Sequence, residues 1–249
     1  ALYLLLARLA VAPWTRFVAA LLFSLSPLTT FAVGWAAAQA DRLYVLFACT
    51  TVALALRFVQ PDARPRRLGP VLMLSAWAAI SSKETAMALP LVVALVLFLP
   101  AGPAAGTSRA RRLAAIACSA LPVALFMAMR LPALLASLTG QTQVTHIYTP
   151  SPANAPLNVL YYAAYPFMAD LPEIATIVFR DAPQLAVAIA VHLLLVVLLF
   201  RLYRLRGVAI YLTLFFVFLL LVLTLPHRAG HYLYFSAIPT SVALALCLL

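Results

Sequence analysis

Residues 68–99 read LGPVLMLSAWAAISSKETAMALPLVVALVLFL, and the polar interruption Ser81-Ser82-Lys83-Glu84 in the middle of that run decides the fold. A charged side chain at membrane depth costs roughly 2.5 kcal/mol or more on insertion scales, so a Lys-Glu pair is retained there where it faces a wet cavity or a ligand. The stretch 69–99 is also too long for one comfortable span of about 20 residues and too short for two. Arginine-rich loops bracket it, with Arg64, Arg66 and Arg67 before and Arg109, Arg111 and Arg112 after, and both loops read as cytoplasmic by the positive-inside rule. A chain that leaves and returns to the same face must turn between. The reading is a hairpin of two short helices, Gly69–Ser82 and Thr85–Leu99, with Lys83 and Glu84 at its tip. Each arm rises only about 21–23 Å, which recesses the tip below the outer membrane surface.

The rest of the chain agrees. Hydrophobic residues make up 66% of it, charged residues 9%, and the mean hydropathy is +1.06, which excludes a soluble globular domain. The apolar runs are continuous rather than alternating, so the spans are helices and not barrel strands. The fold class is all-α: a polytopic transmembrane bundle of about seven to nine membrane segments, read as a single transmembrane domain over residues 1–249. A formal charge of +11 would suggest nucleic acid in a soluble protein; here the basic residues fall in short loops, where they set orientation, and no nucleic-acid partner is implied. Cys49, Cys118 and Cys247 lie inside apolar runs without paired spacing, which indicates neither disulfides nor a metal cluster. The first apolar run, Ala1–Ala12, is too short to span and follows no initiator Met, so the chain is expected to start in mid-protein. Abundant Ala and Arg beside the lone lysine Lys83 point to a GC-rich bacterial genome and hence a bacterial inner membrane.

Working outward from the hairpin, Phe17–Ala38 and Asp41–Val59 read as spans, Leu113–Leu131 crosses outward and Pro183–Phe200 returns to a third basic loop, Arg201–Arg206. Gly207–Leu225 crosses outward again and Leu233–Leu249 returns. Between them 132–182 is an external segment with the aromatic run Tyr161-Tyr162-Ala163-Ala164-Tyr165-Pro166-Phe167, suited to an interfacial helix or re-entrant loop. This topology gives the cytoplasmic face the whole formal charge of +11 and leaves the outer face mixed and balanced, as a site handling sugars and phosphates requires.

Three constellations stand on that outer face. Asp41 opens a span and could cap its helix, accepting from first-turn N–H groups; alternatively Gln39, Asp41 and Arg42 line the outer mouth and hold a polar acceptor. Lys83 and Glu84 point about 100° apart on a helix and need not pair with each other. They are either halves of buried structural bridges or a phosphate-holding cation with a carboxylate that orients it or binds a sugar hydroxyl. His227-Arg228-Ala229-Gly230-His231-Tyr232-Leu233-Tyr234 either anchors a span at the interface or presents Arg228 to clamp phosphate oxygens, aided by His231. His227 and His231 have no third ligand in the sequence pattern, so no metal is assigned. Asp170, Glu173, Arg180 and Asp181 read as solvated charges, and His192 as a hydrogen-bonded core histidine.

The order Leu22-Phe23-Ser24-Leu25-Ser26-Pro27, Gly34-Trp35, Gln39-Ala40-Asp41, Ser82-Lys83-Glu84-Thr85-Ala86 with Leu89-Pro90, and His231-Tyr232-Leu233-Tyr234 resembles the multi-span GT-C glycosyltransferases. It looks closest to the polyprenyl-phosphate-mannose-dependent mannosyltransferase type, including the transmembrane-and-TPR-repeat branch. The resemblance implies transfer of a sugar from a polyprenyl-phosphate donor in the membrane lipid to a protein or glycan acceptor on the periplasmic face, with no certain cofactor. It places Lys83, Arg228, His231 and Tyr232 at the donor phosphate and Gln39, Asp41, Arg42 and Glu84 at substrate. The family's general base, an acid in the first external loop, would lie upstream of Ala1. The family often has Arg where this chain has Gln39 and His231. Two other classes fit the same residues: a transporter or lipid flippase with Lys83, Glu84 and Asp41 on a path at a broken helix, and a catalytically inactive membrane scaffold.

Overall fold

The computed structural model describes residues 1–26, 29, 39–99, 104, 106–138, 150–168 and 181–249. Among them every regular element is helical. In chain order these are α1 (Leu2–Arg8), α2 (Pro13–Leu25), α3 (Gln39–Phe58), α4 (Pro65–Ser82), α5 (Leu89–Leu97), α6 (Arg109–Leu138), α7 (Ala155–Ala164), α8 (Ala182–Phe216) and α9 (Ala237–Leu248). Three are long and apolar enough to cross a membrane: α3, α6 over Arg109–Ala133, and α8. Gly34-Trp35, part of the expected Phe17–Ala38 span, and Asp170, Glu173 and Arg180 lie outside the described residues. The chain forms two compact units, Ala1–Ala12 with Ala40–Val144, and Pro13–Gln39 with Thr145–Leu249.

In the first unit the expected hairpin is present. α4 ends at Ser82, Lys83 is extended at φ −158° and ψ 131°, and a 3-10 turn over Glu84–Ala88 leads into α5. Three contacts with α6 fix the direction of each arm. Gly69 lies against Cys118, Trp77 meets the Phe126 ring edge-on with centroids 6.4 Å apart, and Glu84 reaches Arg130, so α4 runs parallel to α6. Phe98 then lies under the Arg112 guanidinium at 5.4 Å, so α5 runs back to where α6 begins. Both arms lean on one long helix. The first arm starts earlier than the sequence suggests, because Pro65 takes the first helical turn, where its missing N–H costs nothing, and so draws Arg66 and Arg67 out of the loop into the helix. α6 likewise runs through Pro132, expected to open the external segment, as far as Leu138.

α3 lies antiparallel to α4. Thr51 donates to Phe47 O at 2.8 Å and to Ser75 Oγ at 3.0 Å, and Ser75 donates to Phe47 O at 3.1 Å. Such hydroxyl pairs join helices where burial in lipid gives no hydrophobic advantage of one apolar face over another. The loops expected on one face do share one end of this unit: Arg111 Nη1 donates to Gln60 O at 2.6 Å. There Arg57 and Asp62 form a two-pronged exposed bridge at 2.7 and 2.8 Å, and hydrogen bonding from Arg57 holds the Asp62 carboxyl below its ordinary range.

In the second unit α8 is one helix in name and two in geometry. Arg204 has φ 58° and ψ −168°, and the rings of His192 and Phe215 approach to 5.4 Å. In a continuous helix those residues would stand about 35 Å apart. The chain therefore folds back at the expected basic turn Arg201–Arg206, compressed to a single residue. The left-handed φ of Arg204 is a strained conformation for a residue with a Cβ. The core gathers Tyr162, Tyr165, Leu195, Leu199, Tyr211, Phe215 and Leu233, with α9 packed on both α2 and α8 and the Phe23 and Tyr234 rings at 5.5 Å. Inside 132–182, read as holding an interfacial helix or re-entrant loop, the chain forms the helix α7.

Candidate functional site

Two polar clusters stand out, one in each unit. In the first, Asp41 on the opening turn of α3 is ion-paired with Lys83, and their side chains are only 7% and 12% exposed. The pair forms because Lys83 sits where α4 has ended and the chain is extended, which turns its side chain toward the start of the antiparallel α3. Tyr44, one turn along α3 and buried, has its hydroxyl against Thr85. Withdrawing two charges from water costs several kcal/mol each, which only close pairing and added hydrogen bonds offset. Lys83 is thus half of a buried bridge rather than a freely presented cation. Glu84 turns the other way, to Arg130 at 3.3 Å, with 61% and 57% of the two side chains exposed. The adjacent pair therefore diverges, as its 100° offset requires. Arg42 is half-buried beside Asp41, and Gln39 is exposed at the start of α3.

The second cluster is built around a residue that sequence reasoning did not single out. After α8, Pro226 cannot continue a helix, and the turns over 217–225 leave carbonyls free to face α7. Asn158, 0% exposed in α7, donates from Nδ2 to Leu223 O at 2.6 Å and Leu225 O at 2.7 Å. Asn154 Nδ2 and the Ser151 amide both donate to Thr224 O, at 3.0 and 2.7 Å. With its two donors spent on carbonyls, Asn158 has its oxygen left to accept from Arg228 Nε at 2.7 Å. The Arg228 guanidinium also lies over the Tyr161 ring at 4.4 Å. Its Nη1 and Nη2 have no hydrogen-bond partner among the described residues. Asn154, at the N-cap of a short apolar helix, and Asn158 inside it stand four apart, and that spacing was the available signal.

Next to this guanidinium the late motif is tightly packed. Gly230 is buried with the Tyr165 ring where a Cβ would sit, so no larger residue fits without displacing that tyrosine. His231 and Tyr232 stack at 4.4 Å, and Tyr162 is fully buried against the Ala229 backbone. Asp181, read as a solvated charge, caps α8 by accepting from the Gln184 amide at 2.8 Å. His192 is a core histidine: Nδ1 donates to Ala163 O at 2.5 Å, which fixes the tautomer, and Nε2 accepts from the Tyr211 hydroxyl at 3.2 Å. Among the described residues no three His, Cys, Asp or Glu side chains converge on a metal position.

In comparisons with known proteins, no family model, no curated protein and no solved structure matches this chain.

Proposed function

We propose that the chain is the core of an integral-membrane glycosyltransferase of a bacterial inner membrane, with seven to nine membrane segments, that moves a sugar such as mannose from a polyprenyl phosphate to a periplasmic acceptor. What supports this most is the setting of Arg228. Its Nε is held by a buried, fully engaged asparagine, its plane rests on Tyr161, and its two terminal nitrogens have no hydrogen-bond partner among the described residues. A planar fork matches two oxygens of a phosphate, whereas an ammonium offers only a point charge. In transfer from a lipid phosphate, negative charge grows on the departing phosphate, and a preset cation stabilises that charge without having to reorganise. An outward-facing site has no nucleotide sugars to draw on, while a lipid donor reaches it laterally from the bilayer.

The test is transfer of radiolabelled mannose from polyprenyl-phosphate mannose by the reconstituted protein. Arg228→Ala lowers kcat more than apparent donor affinity, and Arg228→Lys restores part of it. Transfer by Arg228→Ala at the wild-type rate would falsify the assignment.

One observation favours a second reading, a transporter. The buried Asp41–Lys83 pair sits at the break between α4 and the 3-10 turn, and charges at a broken helix mark ion and substrate paths in that class. Proteoliposome flux abolished by Lys83→Met, with no sugar transfer by the wild type, supports it over the enzyme.

A further inference from the structure

Independently of either reading, the first unit carries an apolar groove near its basic end. An open groove of about 450 Å³ runs between α4 and α6, lined by Met73, Ala117, Cys118, Ala120, Leu121 and Ala124, and its wall is almost wholly apolar. That volume falls within the ~300–1,000 Å³ of ordinary ligand sites. Small residues on α6 make the hollow, and Met73 and Leu121 form its banks. Since the two helices run in parallel, the arginines that open them stand at the same end of the groove. Arg66 lies seven residues before Met73, two turns earlier on the same face, and Arg109 precedes Ala117 by eight, so both stand about 10–12 Å from the lining. Of the other arginines at this end, Arg57 is paired with Asp62, Arg111 with Gln60 O, and Arg112 with Thr107 and Phe98, while Arg64 and Arg67 are exposed like Arg66 but lie off the Met73 face of α4. Arg66 and Arg109 are exposed, and among the described residues their side chains have no partner.

We infer that this groove seats one acyl chain of an anionic phospholipid whose phosphate is held by Arg66 and Arg109. Charge complementarity selects the occupant: an apolar channel with two guanidiniums toward one end, unpaired among the described residues, fits an amphiphile with a negative head, and a neutral lipid or an apolar helix leaves both cations unmatched. Long arginine stems also lie along apolar surface while their heads reach the phosphate layer.

Native mass spectrometry of the detergent-extracted full chain, with phosphatidylglycerol or phosphatidylcholine added at equal concentration, tests this. The expected result is one phosphatidylglycerol retained in preference to phosphatidylcholine. Arg66→Gln with Arg109→Gln weakens retention about 30-fold, from the usual contribution of two basic residues at a membrane surface. Arg64→Gln with Arg67→Gln, which removes equal charge off the groove axis, changes it less than about threefold. Ala117→Phe with Ala124→Phe fills the groove and also releases the lipid, while Arg66→Lys with Arg109→Lys retains it and shows that the altered chains still fold. Equal loss in both Gln double variants, equal binding of the two lipids, or full retention by the filled groove would each overturn the site.

Discussion

Replacing Asn158 by leucine, which has the same number of side-chain heavy atoms and the same branching, removes three hydrogen bonds at once and leaves the side-chain space filled. The carbonyls of Leu223 and Leu225 and the Nε–H of Arg228 lose their partner at a position with 0% exposure. Soluble-protein values put the two neutral bonds at about 1 kcal/mol each and the bond to a guanidinium at about 1.5–3 kcal/mol. Polar pairs inside membrane bundles average only about 0.6 kcal/mol, because the unfolded chain in lipid also finds partners, which lowers the total to roughly 2 kcal/mol. The expected cost is therefore about 2–5 kcal/mol, or a 30- to 5,000-fold rise in local opening. Hydrogen exchange at the amides of Val222, Leu223 and Leu225 reads it directly, with α6 amides as the control. Asn158→Asp separates the two duties. Its carboxylate still binds Arg228 but repels the two carbonyls, so it loosens 223–225 while keeping the guanidinium in place. Protection at 222–225 within about threefold of wild type in Asn158→Leu would show that these bonds do not hold the segment.

Removing one partner of the buried bridge, by Asp41→Ala or Lys83→Ala, costs about 3–5 kcal/mol, whereas Asp41→Asn with Lys83→Met costs less than the sum of its singles; unfolding in mixed detergent micelles measures the difference. Gly230→Ala drives a methyl into the Tyr165 ring and destabilises by about 1–3 kcal/mol, and Tyr165→Leu in the same chain recovers most of that by thermal unfolding. Glu84→Ala and Arg130→Ala each change stability by less than about 1 kcal/mol in the same assay, because this pair stands in water. Since Arg57 holds the Asp62 carboxyl below its unfolded value of 3.8, any stability it adds is present above that pH and fades as pH falls further; Arg57→Ala removes this dependence in an acid titration followed by tryptophan fluorescence.

The features legible in the sequence are those that lipid enforces locally. A Lys-Glu pair inside a run of leucine, valine and alanine marks a break wherever it occurs, and α4 does end one residue before Lys83. Three arginines within six residues, at 201, 204 and 206, between two long apolar runs mark a turn at one face, and the chain reverses at Arg204 even though hydrogen bonding is nearly continuous through it. The extent of α4 and α6 was less legible, because a proline is read as a stop but is tolerated in the first turn of a helix and inside apolar helices whose freed carbonyls find other partners.

Pairing was the part that residue type and spacing do not encode. Lys83 and Asp41 are 42 residues apart, and Asn158 is 70 from Arg228. Neither separation follows from a helical period, since each depends on which helix end a hairpin brings alongside which neighbour. That choice reverses the weight of the two cations. As a sequence feature Lys83 is the more conspicuous, a charge at depth, while Arg228 could pass for an interfacial anchor. In the structure Lys83 faces a carboxylate that already neutralises it, and a second anion there would have to displace Asp41 from a site too dry to receive the freed charge. Arg228 is held through its one inner nitrogen by a neutral amide, which orients the guanidinium without neutralising its charge, as the proposed phosphate role requires. A neutral tether on a cation and a charged partner on a lysine are opposite preparations for binding phosphate, and only the first costs nothing to undo when the ligand arrives.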